Sequence, residues 1–324
     1  MLFKTLALIY TWKCNATCAS CCYSCSPKRV EKLSLLQALS LIEETTHIEE
    51  IQHLSISGGE PFLYLDEIKI LLEELNKTGR TSNCVTNAFW ASTPEKAIDI
   101  LKDLKRNGLT TLSLSYDSYH EKFVPVKHIT NALHAAKSLE INIELNCSRG
   151  INDPHLVDIL PSIEEVNGKL QEGILVPAGR AASLPSEVFA YQDTAPLKRC
   201  GMLNAITVFP NGTVYPCCSV FGESSFLAIG NIQESSLKEI LEDAHENPLL
   251  LIMERQGFGV LIDLGKKIDP NMSLPSKTVN PCHFCHELFA NSQTQEAILK
   301  GVLQFEREFY EKRRNIYFFL TNFF

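Results

Sequence analysis

The chain has 324 residues, 45% of them hydrophobic, and 30 Lys and Arg against 38 Asp and Glu give a formal net charge of −8. That length holds one large domain or two modest ones, with enough apolar chain to bury a core, which excludes a disordered protein. An acidic balance argues against nucleic-acid binding, and no apolar run approaches the ~18 residues of a spanning helix.

The amino terminus lacks a secretory h-region and a cleavage site, so a cytosolic (cytoplasmic) protein is expected. Twelve cysteines then need a reason. In a reducing compartment, clustered cysteines are metal ligands or redox groups more often than disulfides.

Leu6–Trp12 reads as the first strand. Ser34 is placed to cap a helix whose inward face is Leu35, Leu36, Leu39 and Ile42. His53–Ser57 is the second strand, and Asp66 caps a helix carrying Ile68, Leu71, Leu72 and Leu75. Cys84–Thr86 is the third, followed by a helix opened by Thr93 and Pro94 with Ala97, Ile98 and Leu101 inward. Thr110–Tyr116 is the fourth, with Ile129, Ala132, Leu133 and Ala136 on its helix. Ile141–Leu145 and Gly173–Val176 are the fifth and sixth. Six β/α units in series predict an α/β fold with a parallel sheet, open or barrel-like.

Near Pro196 the pattern changes. Ile206–Phe209 and Thr213–Tyr215 flank Asn211-Gly212, which predicts a hairpin with a type I′ turn. A helix capped at Ser235 or Ser236, with Leu237, Ile240 and Leu241 inward, follows. The expected division is 1–193 and a smaller domain over 194–324. The aromatic tail, Tyr317-Phe318-Phe319-Leu320 and Phe323-Phe324, reads as a helix end packed on the body.

The cysteines carry the chemistry. Cys14, Cys18 and Cys21 follow the first strand with C-x3-C-x2-C spacing, on the kind of loop where α/β barrels place active sites. Three thiolates can hold three irons of a [4Fe–4S] cluster and leave the fourth open. Zinc is the alternative, and Cys18, Cys22 and Cys25 repeat the spacing; position directly after the strand favours Cys14. One unit later, Gly58-Gly59-Glu60-Pro61 ends the second strand, where two glycines allow close backbone approach. Asn87, Ser115, Asp117 and Asn146 end the third, fourth and fifth strands on the same rim. Arg180 closes the sixth and could pair with a carboxylate.

Together these residues resemble the radical S-adenosylmethionine superfamily over roughly residues 5–180, which implies a partial (β/α)6 barrel. The resemblance implies that Cys14, Cys18 and Cys21 bind the cluster and that S-adenosylmethionine chelates its open iron. Reductive cleavage would then give a 5′-deoxyadenosyl radical, with an electron donor such as flavodoxin or ferredoxin. Gly58, Gly59 and Glu60 would meet the methionyl amino group. Asn87, Ser115, Asp117, Asn146 and Arg180 are the further cofactor contacts implied. Ser20 stands where many members carry an aromatic.

The second domain looks like a reduced SPASM or twitch-type extension, in which Cys200, Cys217, Cys282 and Cys285 would hold an auxiliary [4Fe–4S] cluster. Cys218 is then a fifth thiol, either a buried free cysteine or a hydrogen-atom donor. Cys84 and Cys147 fit small core positions. The run from Cys14 through Cys25 to Pro27, with Asn87–Trp90, Ser115–His120, Pro216–Ser219 and the stretch from Asn247 to Gly257, looks like the radical peptide epimerases that make epipeptides. That closer resemblance implies a ribosomally made precursor peptide as substrate, and Cys218 as the residue returning hydrogen to Cα. Asn204-Ala205 stand where those enzymes carry an acidic residue, which keeps a thioether or carbon–carbon crosslink open. A zinc-bound peptide-recognition scaffold is the non-enzymatic alternative.

Overall fold

Strand β1 (Thr5–Thr11) opens a β/α series that continues through α1 (Leu35–Thr45), β2 (His53–Gly58), α2 (Leu65–Lys77), β3 (Thr81–Thr86) and α3 (Pro94–Arg106). It then runs through β4 (Thr111–Ser115), α4 (Val126–Ser138), β5 (Asn142–Arg149), α5 (Leu156–Ile159) and β6 (Lys169–Ile174). This computed structural model describes residues 3–160, 169–193, 200–218 and 225–322. Pro196, Ser219, Phe323 and Phe324 fall outside them, as do the side chains of Tyr317 to Leu320.

β1 to β6 pair in sequence order, all parallel, as expected for a partial barrel. Parallel strands put every carboxyl end on one rim, where α/β folds bind ligands. Local chemistry sets the helices. Ser34 and Gln37 form a reciprocal capping box at α1. Thr93 accepts from Lys96 N at α3, with Pro94 at the first helical position.

Several inward faces differ from expectation. In α1 the buried residues are Ala38, Leu41, Ile42 and Thr45, and Leu36 is 79% exposed. The apolar cluster at the helix start had drawn the face round by about a third of a turn. Asp66 sits in the first turn of α2 rather than capping it, because a 3₁₀ turn over Pro61–Tyr64, capped by Glu60, leads into the helix. Ile98 of α3 faces outward.

After β7 (Gln192–Asp193), strands β8 (Ala205–Val208) and β9 (Thr213–Tyr215) form the expected hairpin, and β10 (Gly230–Asn231) pairs with β9. The turn is not type I′. Gly212 alone has positive φ, at +84°, and its N–H donates to the Phe209 carbonyl at 2.8 Å. Pro210 fixes its own φ near −65°, so the turn bends on Pro210-Asn211 and leaves only Gly212 left-handed.

β8 pairs in parallel with β1, so the hairpin belongs to the nine-stranded sheet, ordered β10-β9-β8-β1-β2-β3-β4-β5-β6. α6 (Leu237–Glu246) buries Leu237, Ile240 and Leu241, as expected, behind a Ser236–Glu239 box. The rest is α7 (Pro248–Arg255), α8 (Phe258–Ile268), β11 (Lys277–Thr278), α9 (Pro281–Ala290) and α10 (Ser292–Asn322). The chain forms two compact units: Leu2–Ala190 with Asn204–Ile240, and Tyr191–Leu203 with Leu241–Phe324.

Candidate active site

In the first unit, residues 14–25 form a loop closed at its neck: Cys14 N donates to Ser26 O (3.1 Å) and Ser26 N to Trp12 O (3.4 Å). The next β/α loop is pressed against it. Gly59 N donates to Thr11 O (2.6 Å) and Glu60 N to Lys13 O (2.9 Å). A Cβ at Gly58 would run into the Thr11 carbonyl, and one at Gly59 into that of Lys13. These glycines therefore admit the backbone leading into Cys14, and Gly58, at φ +135°, also needs the left-handed region.

Between these loops lies a cavity of about 220 Å³. All five cysteines of the loop line it, together with Gly58, Gly59, Asn87, Ser115, Asp117 and Asn146. Ser57, His120 and Ser148 line it too, and sequence reasoning did not assign them. Strand alternation carried the signal for Ser57 and Ser148, which share the inward face of β2 and β5 with Ser55 and Asn146.

The polar groups hold one another. Asn87 is buried, and its Nδ2 donates to Asn15 Oδ1 at 2.9 Å, which ties β3 to the cysteine loop. Asp117 is buried, and its Oδ1 accepts from Tyr119 N and His120 N and meets His120 Nδ1 at 2.8 Å. Burial acts to lower the His120 pKa, but the Asp117 hydrogen bond and charge outweigh it and leave it raised.

Glu60 is absent from the lining. Its carboxylate accepts from Phe62 N (3.0 Å), Thr86 Oγ1 (2.8 Å) and Asn87 N (2.8 Å), inside the protein behind the rim. Burial pushes its pKa up to about 7, against the pull of those donors. Arg180 also lies off the lining and, among the described residues, meets no carboxylate. Nη1 donates to Cys18 O (2.7 Å) and Nη2 to Cys25 O (2.6 Å), so the expected acid pairing is replaced by loop carbonyls.

Burial pushes the Cys14 and Cys18 thiols up to about 12. Cys21 is lowered, first by a thiol hydrogen bond from Cys25. Ala16 N donates to Cys14 Sγ (3.4 Å) and Cys25 N to Cys21 Sγ (3.3 Å). Thiols on one cavity, two of them receiving N–H donors, suit thiolate ligands, and polar side chains line the space beside them. Among the described residues, no three His, Cys, Asp or Glu side chains are gathered at a single-ion position. Cys84 and Cys147 are buried in β3 and β5, as expected.

Tyr23 lines the same cavity, with its ring against Trp12 (5.1 Å) and Phe209 (6.0 Å). Burial first, then the charges of Cys22, Cys218 and Cys217, hold its phenol well above the ordinary range. The thiols after β9 are thus within electrostatic reach of a cavity residue. Cys217 is buried and Cys218 exposed.

In the second unit, Cys200 N donates to Met253 O (2.9 Å), while Cys282 and Cys285 lie three residues apart on α9. Asn280 caps that helix through His283 N (2.8 Å), and His283 Nδ1 accepts from Val279 N (3.2 Å).

Residues 8–169 match the family model of the radical SAM superfamily, and residues 200–256 match the SPASM model, an iron–sulfur cluster-binding domain. The Bacillus subtilis (strain 168) protein YydG, whose name assigns it to peptide biosynthesis, is 27% identical over 305 residues, covering 90% of this chain and 94% of that one. GTP 3′,8-cyclase of Campylobacter jejuni subsp. doylei is 27% identical over 170 residues, 48% of this chain and 50% of the cyclase. In fold, BtrN in complex with AdoMet and 2-DOIA matches with a TM-score of 0.53 at 16% identity, over 80% of this chain and 90% of BtrN. A cysteine-lined cavity at the carboxyl rim of six parallel strands, followed by a cluster-binding segment, places the chain in the radical SAM superfamily, whose members use a [4Fe–4S] cluster with S-adenosylmethionine, here with an auxiliary iron–sulfur domain.

Proposed function

We propose that this enzyme modifies a ribosomally made precursor peptide by L-to-D epimerisation at Cα. The cluster and S-adenosylmethionine supply, when bound, a carbon radical able to take a hydrogen atom. Cys14, Cys18 and Cys21 are the ligands on this reading, and all three line the one cavity. Asn87, Ser115, Asp117 and Asn146 offer hydrogen bonds to the polar ends of the cofactor, and Gly58 and Gly59 keep its wall thin. A cytoplasmic setting with a flavodoxin- or ferredoxin-like electron donor belongs to the same reading. Among the described residues, no helix is long and apolar enough to cross a membrane.

The observation that carries epimerisation is Cys218: an exposed thiol, next to Cys217, within electrostatic reach of a residue lining the cavity. Its S–H would pass a hydrogen atom to the substrate radical from the face opposite the abstraction, leaving a thiyl radical that one electron from the flavodoxin- or ferredoxin-like donor and one solvent proton return to the thiol. Placement decides such a transfer, because an error of about 1 Å can cost orders of magnitude in rate. A crosslink is the second reading, favoured by β8, which reads Ala-Ile-Thr-Val and carries no acid.

With the cognate peptide in D₂O, the wild type should give a product one dalton heavier than the substrate and otherwise isobaric, since the thiol proton exchanges with solvent. Cys218→Ala should still abstract hydrogen yet yield no inverted residue. A product two daltons lighter would replace epimerisation with crosslinking.

A further inference from the structure

β6 is an edge of the sheet and makes no ladder bond to β1, whose other neighbour is β8. The hydrogen-bonded sheet therefore leaves the exit of the sixth strand unattached to the cysteine loop. Gly179 and Arg180 make that attachment. Arg180 N donates to Cys21 O (2.9 Å), and its guanidinium to Cys18 O and Cys25 O (2.7 and 2.6 Å). Gly179, at φ +54°, lies where a Cβ would strike the Cys22 carbonyl. One dipeptide thus grips the backbone at four of the loop's five cysteines.

A planar fork satisfying two carbonyls fixes their separation as well as their direction. Lysine, a point charge on a flexible stem, cannot do both. Arg180 is half-buried and, among the described residues, has no carboxylate partner, so its charge is left for the thiols.

We infer that Arg180 is a positioning residue that straps the open side of the partial barrel to the cysteine loop and places a fixed cation beside the cluster that the loop binds. The inference rests on Cys14, Cys18 and Cys21 as ligands for its second half, and on the fold alone for its first. A fixed cation favours the more negative, reduced state of a thiolate-bound cluster.

Two measurements separate the halves. In the metal-free full-length chain, amide hydrogen exchange over residues 14–26 should quicken in Arg180→Gln and in Arg180→Lys, while α3 and α4 keep wild-type protection. Unchanged exchange in that loop would overturn the strap, whatever the loop binds. In the reconstituted enzyme, both variants should bind iron more weakly, within the about 10–100-fold range of lost outer-shell partners. EPR-monitored titration should place the cluster potential of Arg180→Gln below the wild type, with Arg180→Lys close to it. Equal potentials in Gln, Lys and wild type would overturn the electrostatic half. Should Arg180→Gln fail to fold, Arg180→Lys carries the exchange test, and Arg180→Met, apolar and of similar length, the comparison of potential.

Discussion

Glu60 has three donors aimed at its carboxylate and no solvent exposure. The donors favour the anion and burial disfavours it; burial wins, and the pKa rises from 4.5 to about 7. The folded chain therefore holds a proton between pH 4.5 and 7 that the unfolded chain releases, so this group's contribution to stability falls as pH rises through that window. Glu60→Gln keeps the size and removes the titration, but turns an NH₂ toward N–H or O–H donors, at a cost of about 1–3 kcal/mol. Wild type should be the more stable near pH 5, and the gap in Tm should narrow toward pH 8. A gap independent of pH would mean that Glu60 is already ionised throughout. The residue type and its place after Gly-Gly were legible in the sequence; its direction was not, because a carboxylate beside a rim can face the ligand or the next loop with the same local pattern.

At the scale of elements, the alternation of apolar runs and amphipathic segments located all six parallel strands, and the errors have physical causes. β3 extends three residues earlier than read because Thr81, Ser82 and Asn83 are polar residues within the ladder. β6 is exposed along its length, so the apolar run that follows it drew the reading toward Val176. The hairpin was found from Asn-Gly, but Pro210 dictates its turn. The Arg180 grip joins residues 155 and 162 apart in sequence and leaves no periodic trace. The junction of β1 and β2 has a sharper test. Gly59→Ala should destabilise the chain by about 1–3 kcal/mol, the range of overpacking, because the obstructing atom is the Lys13 backbone carbonyl rather than a side chain that can swing away. Gly201→Ala, at a site with open space around the Cβ and, like Gly59, no positive φ, is the control for the substitution without the close approach. Chemical denaturation compares them, and an equal loss at both sites would mean that the close approach adds nothing.

For the whole molecule, the cysteines divide between the compact units: Cys14 to Cys25, Cys217 and Cys218 in one, Cys200, Cys282 and Cys285 in the other. The sequence had drawn a single boundary at 193/194, since a change of pattern marks where a new kind of element starts and not which sheet it joins. Parallel pairing of β8 with β1 depends on residues some 200 positions apart, and no local pattern encodes it. If Cys14, Cys18 and Cys21 serve one cluster and Cys200, Cys217, Cys282 and Cys285 another, iron should report them independently. Anaerobically purified wild type should hold about eight irons per chain, by the four-iron content of each cluster. Cys200→Ala, Cys282→Ala and Cys285→Ala combined should lower this to about four and leave S-adenosylmethionine cleavage in place. Cys14→Ala, Cys18→Ala and Cys21→Ala combined should also leave about four, but abolish cleavage. Cleavage retained in Cys14→Ala alone would shift the ligand register to Cys18, Cys22 and Cys25. Stoichiometric zinc in the wild type would remove the auxiliary cluster altogether, and with it the redox environment proposed for Cys218.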